Sequence, residues 1–179
     1  NPLPIGIVSL IAVIGAIILT FTVGYRSDRI TAWLNPESSF QVIQSLYAIG
    51  SGGLFGRGLG NSIQKQGFLP ESHNDMIFSV ICEELGLFGA ICVIAIFIIL
   101  ILRFKFVADN ASDRFGSFLV IGVIAHVAVQ TIVNIAVVTN TMPNTGVTLP
   151  FISYGGSSIL GLMMEVGIVL SVSRQMKFK

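Results

Sequence analysis

Residues 76–102 read MIFSVICEELGLFGAICVIAIFIILIL, and this apolar run decides the fold class. A membrane-spanning helix needs about 20 mostly apolar residues. The run exceeds that length and carries charge only at Glu83 and Glu84. Three further runs qualify, at 3–23, 115–139 and 157–173, the last being short and containing Glu165. The sequence therefore predicts an all-α integral membrane protein, a polytopic helical bundle with about four transmembrane helices.

The overall composition indicates the same class. Hydrophobic residues make up 53% of the chain and charged residues 11%, against roughly 25% charged residues in an ordinary soluble domain. A soluble domain of this size leaves too much of its surface in water to hide so much apolar area. The net charge of +1 comes without a basic patch, which argues against a nucleic-acid partner. We expect a single membrane domain over 1–179.

The segments between the apolar runs predict the orientation in the membrane. Lys and Arg are dense in the short loop 103–114 and in the tail 174–179, which places both in the cytoplasm. The long loops 24–75 and 140–156 then face outward. No basic stretch precedes the first apolar run, so it is not a signal peptide, and the missing start methionine suggests a piece of a longer protein.

The first half of the long outer loop predicts two short helices. The first covers 25–34 and ends before Asn35-Pro36, because the residue before proline avoids the helical region. Ser38 or Ser39 can cap the second helix. Its apolar residues fall at helical spacing, so we expect this face to lie on the membrane or against the bundle. These residues are Phe40, Ile43, Leu46 and Tyr47.

The glycine-rich stretch GSGGLFGRGLG follows at 50–60, and no long helix can hold there. Its backbone N–H groups, helped by Arg57, could approach a phosphate. The alternative is a flexible surface loop. The residues alone leave both interpretations open.

The densest polar cluster is LPESHND at 69–75, directly before the second apolar run. The two carboxylates of Glu71 and Asp75, with the imidazole of His73, suit general-base or metal chemistry. Asp75 could instead only cap the following helix. Burial would raise its pKa and a helix N-terminus would lower it. The sequence leaves the catalytic and the capping interpretations open.

Other polar residues fall inside the apolar runs. There are three acidic residues among them, Glu83, Glu84 and Glu165. Each either faces a polar pathway or forms hydrogen bonds to neighbouring elements, and for Glu84 we favour the hydrogen-bonded, structural interpretation. His126, Gln130 and Asn134 recur every four residues and form one polar stripe, which predicts hydrogen bonding between helices. The loop 140–156 is uncharged and rich in Pro and Gly. Such backbone predicts a re-entrant or lid-like segment buried in protein or lining a cavity.

Taken together, these motifs resemble the SEDS family, membrane proteins of shape, elongation, division and sporulation. Three stretches carry the resemblance. They are 50–60 continuing into Asn61, Gln64 and Lys65; LPESHND at 69–75 with Phe78 and EELG at 83–86; and PNTG at 143–146 with LPFISYGGSS at 149–158. GLGN at 58–61 and Asn74 before Asp75 resemble the FtsW-like branch more than the RodA-like branch.

The resemblance implies a fold of ten spanning helices, of which this chain supplies the last four. It also implies a peptidoglycan glycosyltransferase that polymerises lipid II during cell division or sporulation. The bacterial plasma membrane would hold the protein, with its active site on the extracytoplasmic face. The family's essential acidic residue falls on Asp75, which would deprotonate the acceptor 4-OH in an inverting transfer or hold a divalent cation such as Mg²⁺ or Mn²⁺.

Further site residues and partners follow from the same resemblance. Glu71 and His73 would support Asp75, while Arg57 or Lys65 would stabilise the departing pyrophosphate. The segment with Ser153, Tyr154, Gly155, Gly156 and Ser157 would line the substrate cavity. Besides lipid II and the membrane, a class B penicillin-binding transpeptidase and divisome proteins are the expected partners. The alternatives are a lipid II flippase and a non-enzymatic scaffold for that transpeptidase.

Overall fold

The computed structural model describes residues 24–176, so the predicted run 3–23 and the last tail residues lie outside the described residues. Every regular element in the described part is helical. The α-helices are α1 (Gly24–Leu34), α2 (Phe40–Gly52), α3 (Ile77–Asp109), α4 (Arg114–Val138) and α5 (Gly156–Arg174). Two 3-10 turns lie at Pro36–Ser38 and Gln64–Gln66. The all-helical class predicted from the apolar runs is confirmed.

The corner between α1 and α2 forms as its sequence predicts. Helix α1 ends at Leu34, immediately before Asn35 and Pro36. Ser39 is the N-cap of α2, and its hydroxyl accepts a long hydrogen bond from the Val42 N–H at 3.5 Å. The proline and the serine cap thus turn the chain from α1 into α2.

Helix α2 packs on the bundle through a face of small residues. Val42, Ser45, Ala48 and Gly52 are its buried positions, and Ser45 Oγ donates a hydrogen bond to the Val138 carbonyl at 3.0 Å. Gly52 has no room for a side chain, because a Cβ there would lie 1.9 Å from the Cys82 carbonyl oxygen. The opposite face carries the predicted apolar stripe, with both Phe40 and Tyr47 57% exposed. That stripe therefore points away from the described helices, and of the two predicted positions the one on the membrane stays a prediction.

Helix α3 is broken at Gly86, which the apolar run does not reveal. Gly86 has φ 67° and ψ −165°, a conformation that only glycine adopts readily. The break divides α3 into a short first part, 77–85, and a longer second part, 87–109. The freed backbone groups bond to the glycine-rich segment. The four bonds are Arg57 N–H to Glu83 O (3.0 Å), Gly58 N–H to Glu84 O (2.9 Å), Leu87 N–H to Gly53 O (2.9 Å) and Phe88 N–H to Leu54 O (3.1 Å).

Helices α3, α4 and α5 are each long and apolar enough to cross a membrane. Because α3 continues to Asp109, the predicted loop 103–114 shortens to 110–113. Asp113 caps α4, accepting from the Gly116 N–H at 3.1 Å. The buried core runs mainly between α3 and α4, with the irregular segment 139–155 folded against it. The membrane boundaries and the sidedness of the loops stay predictions.

Candidate functional site

Asp75 lies where the long loop enters α3, and it is buried, with 8% of its surface exposed. Helix α3 begins at Ile77 and Met76 holds the N-cap position, which has no side-chain hydrogen bond. The interpretation of Asp75 as a plain helix cap is therefore wrong. Its Oδ1 is buried and has no hydrogen-bond partner among residues 24–176. Buried polar atoms are nearly always paired, so an unpaired carboxylate oxygen at this position marks a candidate functional group.

The surroundings of Asp75 raise the pKa of its carboxyl group. Burial is the largest cause, because it disfavours the charged form, and the negative charge of Glu71 adds to it. Backbone N–H groups of Asp75 and Met76 and the positive charge of Arg29 act in the opposite direction. The net result is a pKa above the ordinary value of an aspartate. A carboxylate with a raised pKa is a better proton acceptor at neutral pH.

Asn134 joins the two loops that meet at this site. Its side chain is fully buried, and Nδ2 donates to the Asp75 carbonyl at 2.7 Å and to the Val147 carbonyl at 2.8 Å. One turn earlier, Gln130 Nε2 donates to the Thr148 carbonyl at 3.0 Å. These two members of the polar stripe bind loops to α4 rather than one helix to another.

His126, the third member of the polar stripe, does join two helices. Its Nδ1 lies 2.8 Å from Oε1 of Glu165 on α5. The prediction of interhelical hydrogen bonding is confirmed for this pair. The same contact gives Glu165 a structural partner.

Ser153 ties the segment 149–154 to the residues just before Asp75. Its hydroxyl donates to the Asn74 carbonyl at 2.6 Å and accepts from the Leu149 N–H at 2.7 Å. Beside it, the Tyr154 N–H donates to the His73 carbonyl at 2.8 Å. The structure thus brings Ser153 and Tyr154 against the loop that contains His73 and ends in Asp75.

His73 and Tyr154 also line an open groove of about 310 Å³ together with Ile77 and Ile152. Glu71, in the same loop, accepts a hydrogen bond from the Asn74 side chain. Gly155 is the N-cap of α5, with Gly156 and Ser157 exposed at the start of that helix. A role of these last three residues in lining the substrate cavity stays a prediction.

Arg57 and Lys65 lie in a second polar cluster, built around two buried glutamates. Arg57 Nη1 is 3.6 Å from Glu83 Oε1, and Lys65 Nζ is 3.9 Å from Glu84 Oε1. The Glu83 carboxylate also accepts three hydrogen bonds, from Ser62 Oγ at 2.5 Å and from the N–H groups of Ile63 at 3.1 Å and Gln64 at 3.3 Å. These contacts favour the interpretation that both glutamates bind neighbouring elements rather than face a polar pathway. A contact of the two cations with pyrophosphate stays a prediction.

The positive charge of Arg29, on α1, lowers the pKa of Asp75, and no motif in the sequence singled out this residue. Arg29 Nη1 donates to the Asn144 carbonyl at 2.8 Å. It lines an open cavity of about 460 Å³ with Asp28, Gln41 and Asn144. A basic residue on a short polar helix usually faces water. The position of Arg29 depends on the contact of α1 with the distant segment 140–144, which a local sequence pattern does not show.

The site offers few protein ligands for a metal ion. Between residues 24 and 176, no group of three or more His, Cys, Asp or Glu side chains is placed to hold one. The unpartnered Oδ1 of Asp75 is a suitable oxygen donor. Mg²⁺ is commonly held by one or two carboxylates together with substrate phosphates. The residues present fit a cation that arrives with its substrate.

The fold and this site define a multi-pass helical membrane protein with a buried acidic residue where a polar loop enters a membrane-capable helix. Residues 3–178 match the family model of FtsW, RodA and SpoVE, described as "Cell cycle protein". The chain therefore belongs to the FtsW/RodA/SpoVE family, and the resemblance noted from its motifs is confirmed.

Similar proteins cover both the sporulation and the division members of the family. The chain is 47% identical over 174 residues to Stage V sporulation protein E of Bacillus subtilis, covering 94% of this chain and 48% of that protein. It is 49% identical over 164 residues to "Probable peptidoglycan glycosyltransferase FtsW" of Geobacter metallireducens, covering 89% and 44%. The chain thus spans about half the length of the curated relatives that it matches.

Two solved structures share the fold. One is a chain from the study "Structural coordination of polymerization and crosslinking by a peptidoglycan synthase complex". It matches at 25% identity with a TM-score of 0.69, covering 99% of this chain and 50% of that chain. The other is a mutant of rod shape determining protein RodA from Thermus thermophilus, at 32% identity and a TM-score of 0.58, covering 75% and 41%. This chain covers about half or less of each solved chain, as expected if it corresponds to part of a larger family fold.

Proposed function

We propose that this chain is part of a peptidoglycan glycosyltransferase that polymerises lipid II, with Asp75 as its general base. The observation that carries the proposal is Asp75 itself, a buried carboxyl group with a raised pKa and an unpartnered Oδ1. The name of the similar Geobacter protein, a peptidoglycan glycosyltransferase, supports the reaction class. We further propose that the site faces the extracytoplasmic side, as the Lys and Arg distribution predicts.

In the proposed reaction, Asp75 removes the proton from the 4-OH of the acceptor sugar. The oxygen of that hydroxyl forms the new bond to C1 of the donor sugar as the bond from C1 to the pyrophosphate oxygen breaks. Polyprenyl pyrophosphate leaves, and the α-linked donor becomes β-linked in a single displacement. One base is sufficient for this inversion, and the raised pKa of Asp75 suits it to the task.

The neighbours of Asp75 hold it in place for this step. Asn134 and Ser153 fix the backbone on either side of the carboxyl group, through the carbonyls of Asp75 and Asn74. Fixed catalytic groups lower the barrier because less ordering is needed during the reaction. A divalent cation such as Mg²⁺ or Mn²⁺, when bound, would neutralise the charge that develops on the pyrophosphate. Holding such a cation is the alternative role of Asp75, in place of direct proton removal.

We propose that a class B penicillin-binding transpeptidase works beside this protein. A similar chain comes from a peptidoglycan synthase complex that couples polymerization and crosslinking. Divisome proteins are the expected neighbours if the division role of the FtsW-named relatives applies here. These partners bear on the design of the test, because activity is best measured with the transpeptidase present.

The test follows lipid II polymerisation by the full-length protein in complex with its transpeptidase, with and without Mg²⁺ or Mn²⁺. Product strands are separated on a gel. Asp75→Asn removes the base but keeps the shape of the side chain, so we expect loss of polymerisation by at least about 100-fold. Asp109→Asn is the matched control, because Asp109 is exposed at the opposite end of α3 and forms an ion pair with Lys105 along the same helix.

Two outcomes separate the proposal from its alternatives. Loss of glycan strands on Asp75→Asn, with the complex intact and Asp109→Asn active, supports the glycosyltransferase. Normal polymerisation by Asp75→Asn would sink the general-base role. Lipid II movement that is independent of polymerisation would then favour a flippase, and retained partner binding alone would favour a scaffold.

A further inference from the structure

The glycine-rich loop 53–60 lies directly on the break of α3 at Gly86. A Cβ on Gly56 would lie 2.1 Å from the Glu84 carbonyl oxygen, and a Cβ on Gly86 would lie 2.6 Å from the Leu54 carbonyl oxygen. The two backbones approach this closely because both positions are glycine. The loop and the break therefore form one packed unit.

The backbone polar groups of this loop are paired within that unit. Five of the six residues in 53–58 use a backbone N–H or carbonyl group in a hydrogen bond. Four of these bonds join the loop to residues 83–88 across the break, and the fifth runs from the Gly56 N–H to the Gly52 carbonyl at 2.8 Å. Water can pair the backbone of an ordinary surface loop. At the edge of a bilayer the pairing must be internal, because each unpaired backbone group there costs free energy.

The side chains of the loop are apolar and point away from the protein. Leu54 is 64% exposed, Phe55 83% and Leu59 76%. Large apolar side chains that cluster on a surface mark a site of interaction. The one charged residue between positions 40 and 63 is Arg57, and its Nη1 lies 3.6 Å from Oε1 of the buried Glu83. The loop thus presents an apolar tip, made of Leu54, Phe55 and Leu59.

The apolar tip continues onto the second part of α3. Leu87 and Phe88, whose N–H groups bond to the loop, are 52% and 67% exposed, and Ile91, one turn further, is 55% exposed. No charged residue falls between positions 85 and 102, and this helix is apolar enough to cross a membrane. A surface that continues directly from a membrane-spanning helix meets the same lipid. This continuity favours lipid over a protein as the partner of the tip.

We propose that the loop 53–60 inserts Leu54, Phe55 and Leu59 into the bilayer beside Phe88, in contact with phospholipid acyl chains. Apolar side chains of interfacial segments reach about 5–10 Å into the boundary between headgroups and acyl chains. The paired backbone stays on the protein side of that boundary, and Arg57 turns its charge to Glu83. The proposal goes beyond the reaction and holds whether or not Asp75 is a general base.

Photo-crosslinking of the full-length protein tests this contact in nanodiscs of phosphatidylcholine and phosphatidylglycerol. The amino acid p-benzoylphenylalanine replaces Phe55, which it resembles in shape, and its ketone adds to C–H bonds within reach under ultraviolet light. Mass spectrometry of the peptide that carries residue 55 then identifies each adduct as phospholipid or polypeptide. We expect phospholipid adducts. The same probe at Leu59 should also give them, so that the test does not depend on the folding of one variant.

Phe68 is the matched control position. It is also a phenylalanine of the long loop 24–75 and is 52% exposed, but it lies between Lys65 and Glu71 in a polar stretch of sequence. Charged neighbours keep a segment out of the acyl chains. We therefore expect the yield of phospholipid adducts at position 55 to exceed that at position 68 by at least about fivefold.

The inference is overturned by any of three results. Mainly polypeptide adducts at positions 55 and 59 would assign the apolar tip to a protein contact. Equal yields of phospholipid adducts at 55 and 68 would show that the probe reports exposure alone. The absence of phospholipid adducts at both 55 and 59 would place the tip in water. The measurement needs no lipid II, so its outcome is separate from that of the polymerisation assay.

Discussion

Replacing Glu83 by glutamine should release the loop that carries Arg57 and Lys65. The Glu83 side chain is 1% exposed, and its carboxylate accepts from Ser62 Oγ and from the N–H groups of Ile63 and Gln64. Glutamine keeps the volume and one acceptor oxygen. The N–H₂ group of the new amide cannot accept from the Ser62, Ile63 or Gln64 donors, so at least one of these hydrogen bonds is lost. The remaining bonds are weaker, because their acceptor is no longer charged.

The size of the effect follows from these contacts. A hydrogen bond to a charged group contributes about 1.5–3 kcal/mol. The ion pair with Arg57, at 3.6 Å and with that side chain 39% exposed, adds at most about 1 kcal/mol. We therefore expect Glu83→Gln to lower the free energy of opening this loop by about 2–3 kcal/mol. At 1.36 kcal/mol for each factor of ten, that is roughly 30- to 160-fold.

Hydrogen–deuterium exchange of the full-length protein in lipid nanodiscs measures this opening directly. The N–H groups of Ile63 and Gln64 bond to the carboxylate, and the Lys65 N–H bonds to Ser62 Oγ at 3.0 Å. Peptides covering 61–66 should exchange faster by the factor above. Peptides from the middle of α4 should not change, since they do not contact this loop.

Glu84→Gln is the matched control, because the residue type, the helix and the substitution are the same. Glu84 is also buried, but within the described part of the chain its Oε1 has no hydrogen-bond partner, and its ion pair with Lys65 is 3.9 Å long. We expect less than about a threefold change in exchange of 61–66, in line with a weak ion pair. Equal acceleration in both variants, or none in Glu83→Gln, would refute the role assigned to the Glu83 carboxylate.

Three further variants test other parts of the structure. Gly86→Ala should abolish the monodisperse peak in fluorescence-detected size exclusion, because Gly86 has φ 67° and the new Cβ would lie 2.4 Å from the Gly56 nitrogen. Gly122→Ala is the control and should keep the peak, because a Cβ there would have no atom within 4 Å. Asn134→Leu leaves two buried carbonyls without a donor and should cost about 3 kcal/mol; an unchanged midpoint of thermal unfolding would contradict this. Asp75→Asn should raise that midpoint at neutral pH. The pKa of Asp75 in the folded state lies above its ordinary value, so the wild type loses stability as the pH rises from the ordinary value through the folded-state value. At a pH below the ordinary value, Asp75 is neutral in both states, and Asp75→Asn should no longer unfold at a higher temperature than the wild type.

Local signals in the sequence predicted the parts of the structure that depend on local chemistry. The Asn35-Pro36 pair and the Ser39 cap set the corner between α1 and α2, because both act within one turn of the chain. The apolar runs likewise predicted the helices α3, α4 and α5. Asp75 drew attention because it belongs to a dense polar cluster with Glu71 and His73, directly before an apolar run.

The features that were missed depend on contacts between distant segments. The break at Gly86 needs the glycine-rich segment to supply four bonds, and a single glycine in an apolar run does not announce that partner. Arg57 has the same charge whether it meets a phosphate or Glu83. Arg29 gains its place only when α1 meets the segment 140–144. Local sequence patterns therefore predicted the helices and their caps, but not which distant residues meet.

The break in α3 also bears on how much of that helix is needed to fill a lipid bilayer. The part after Gly86, residues 87–109, is about 34 Å long at 1.5 Å per residue, and the hydrocarbon layer is about 30 Å thick. This part alone can cross it. Glu83 and Glu84 can then remain above the acyl chains, so that neither has to be desolvated by lipid. We expect Gly86 to mark the depth at which α3 leaves the hydrocarbon and enters the protein layer that carries Asp75.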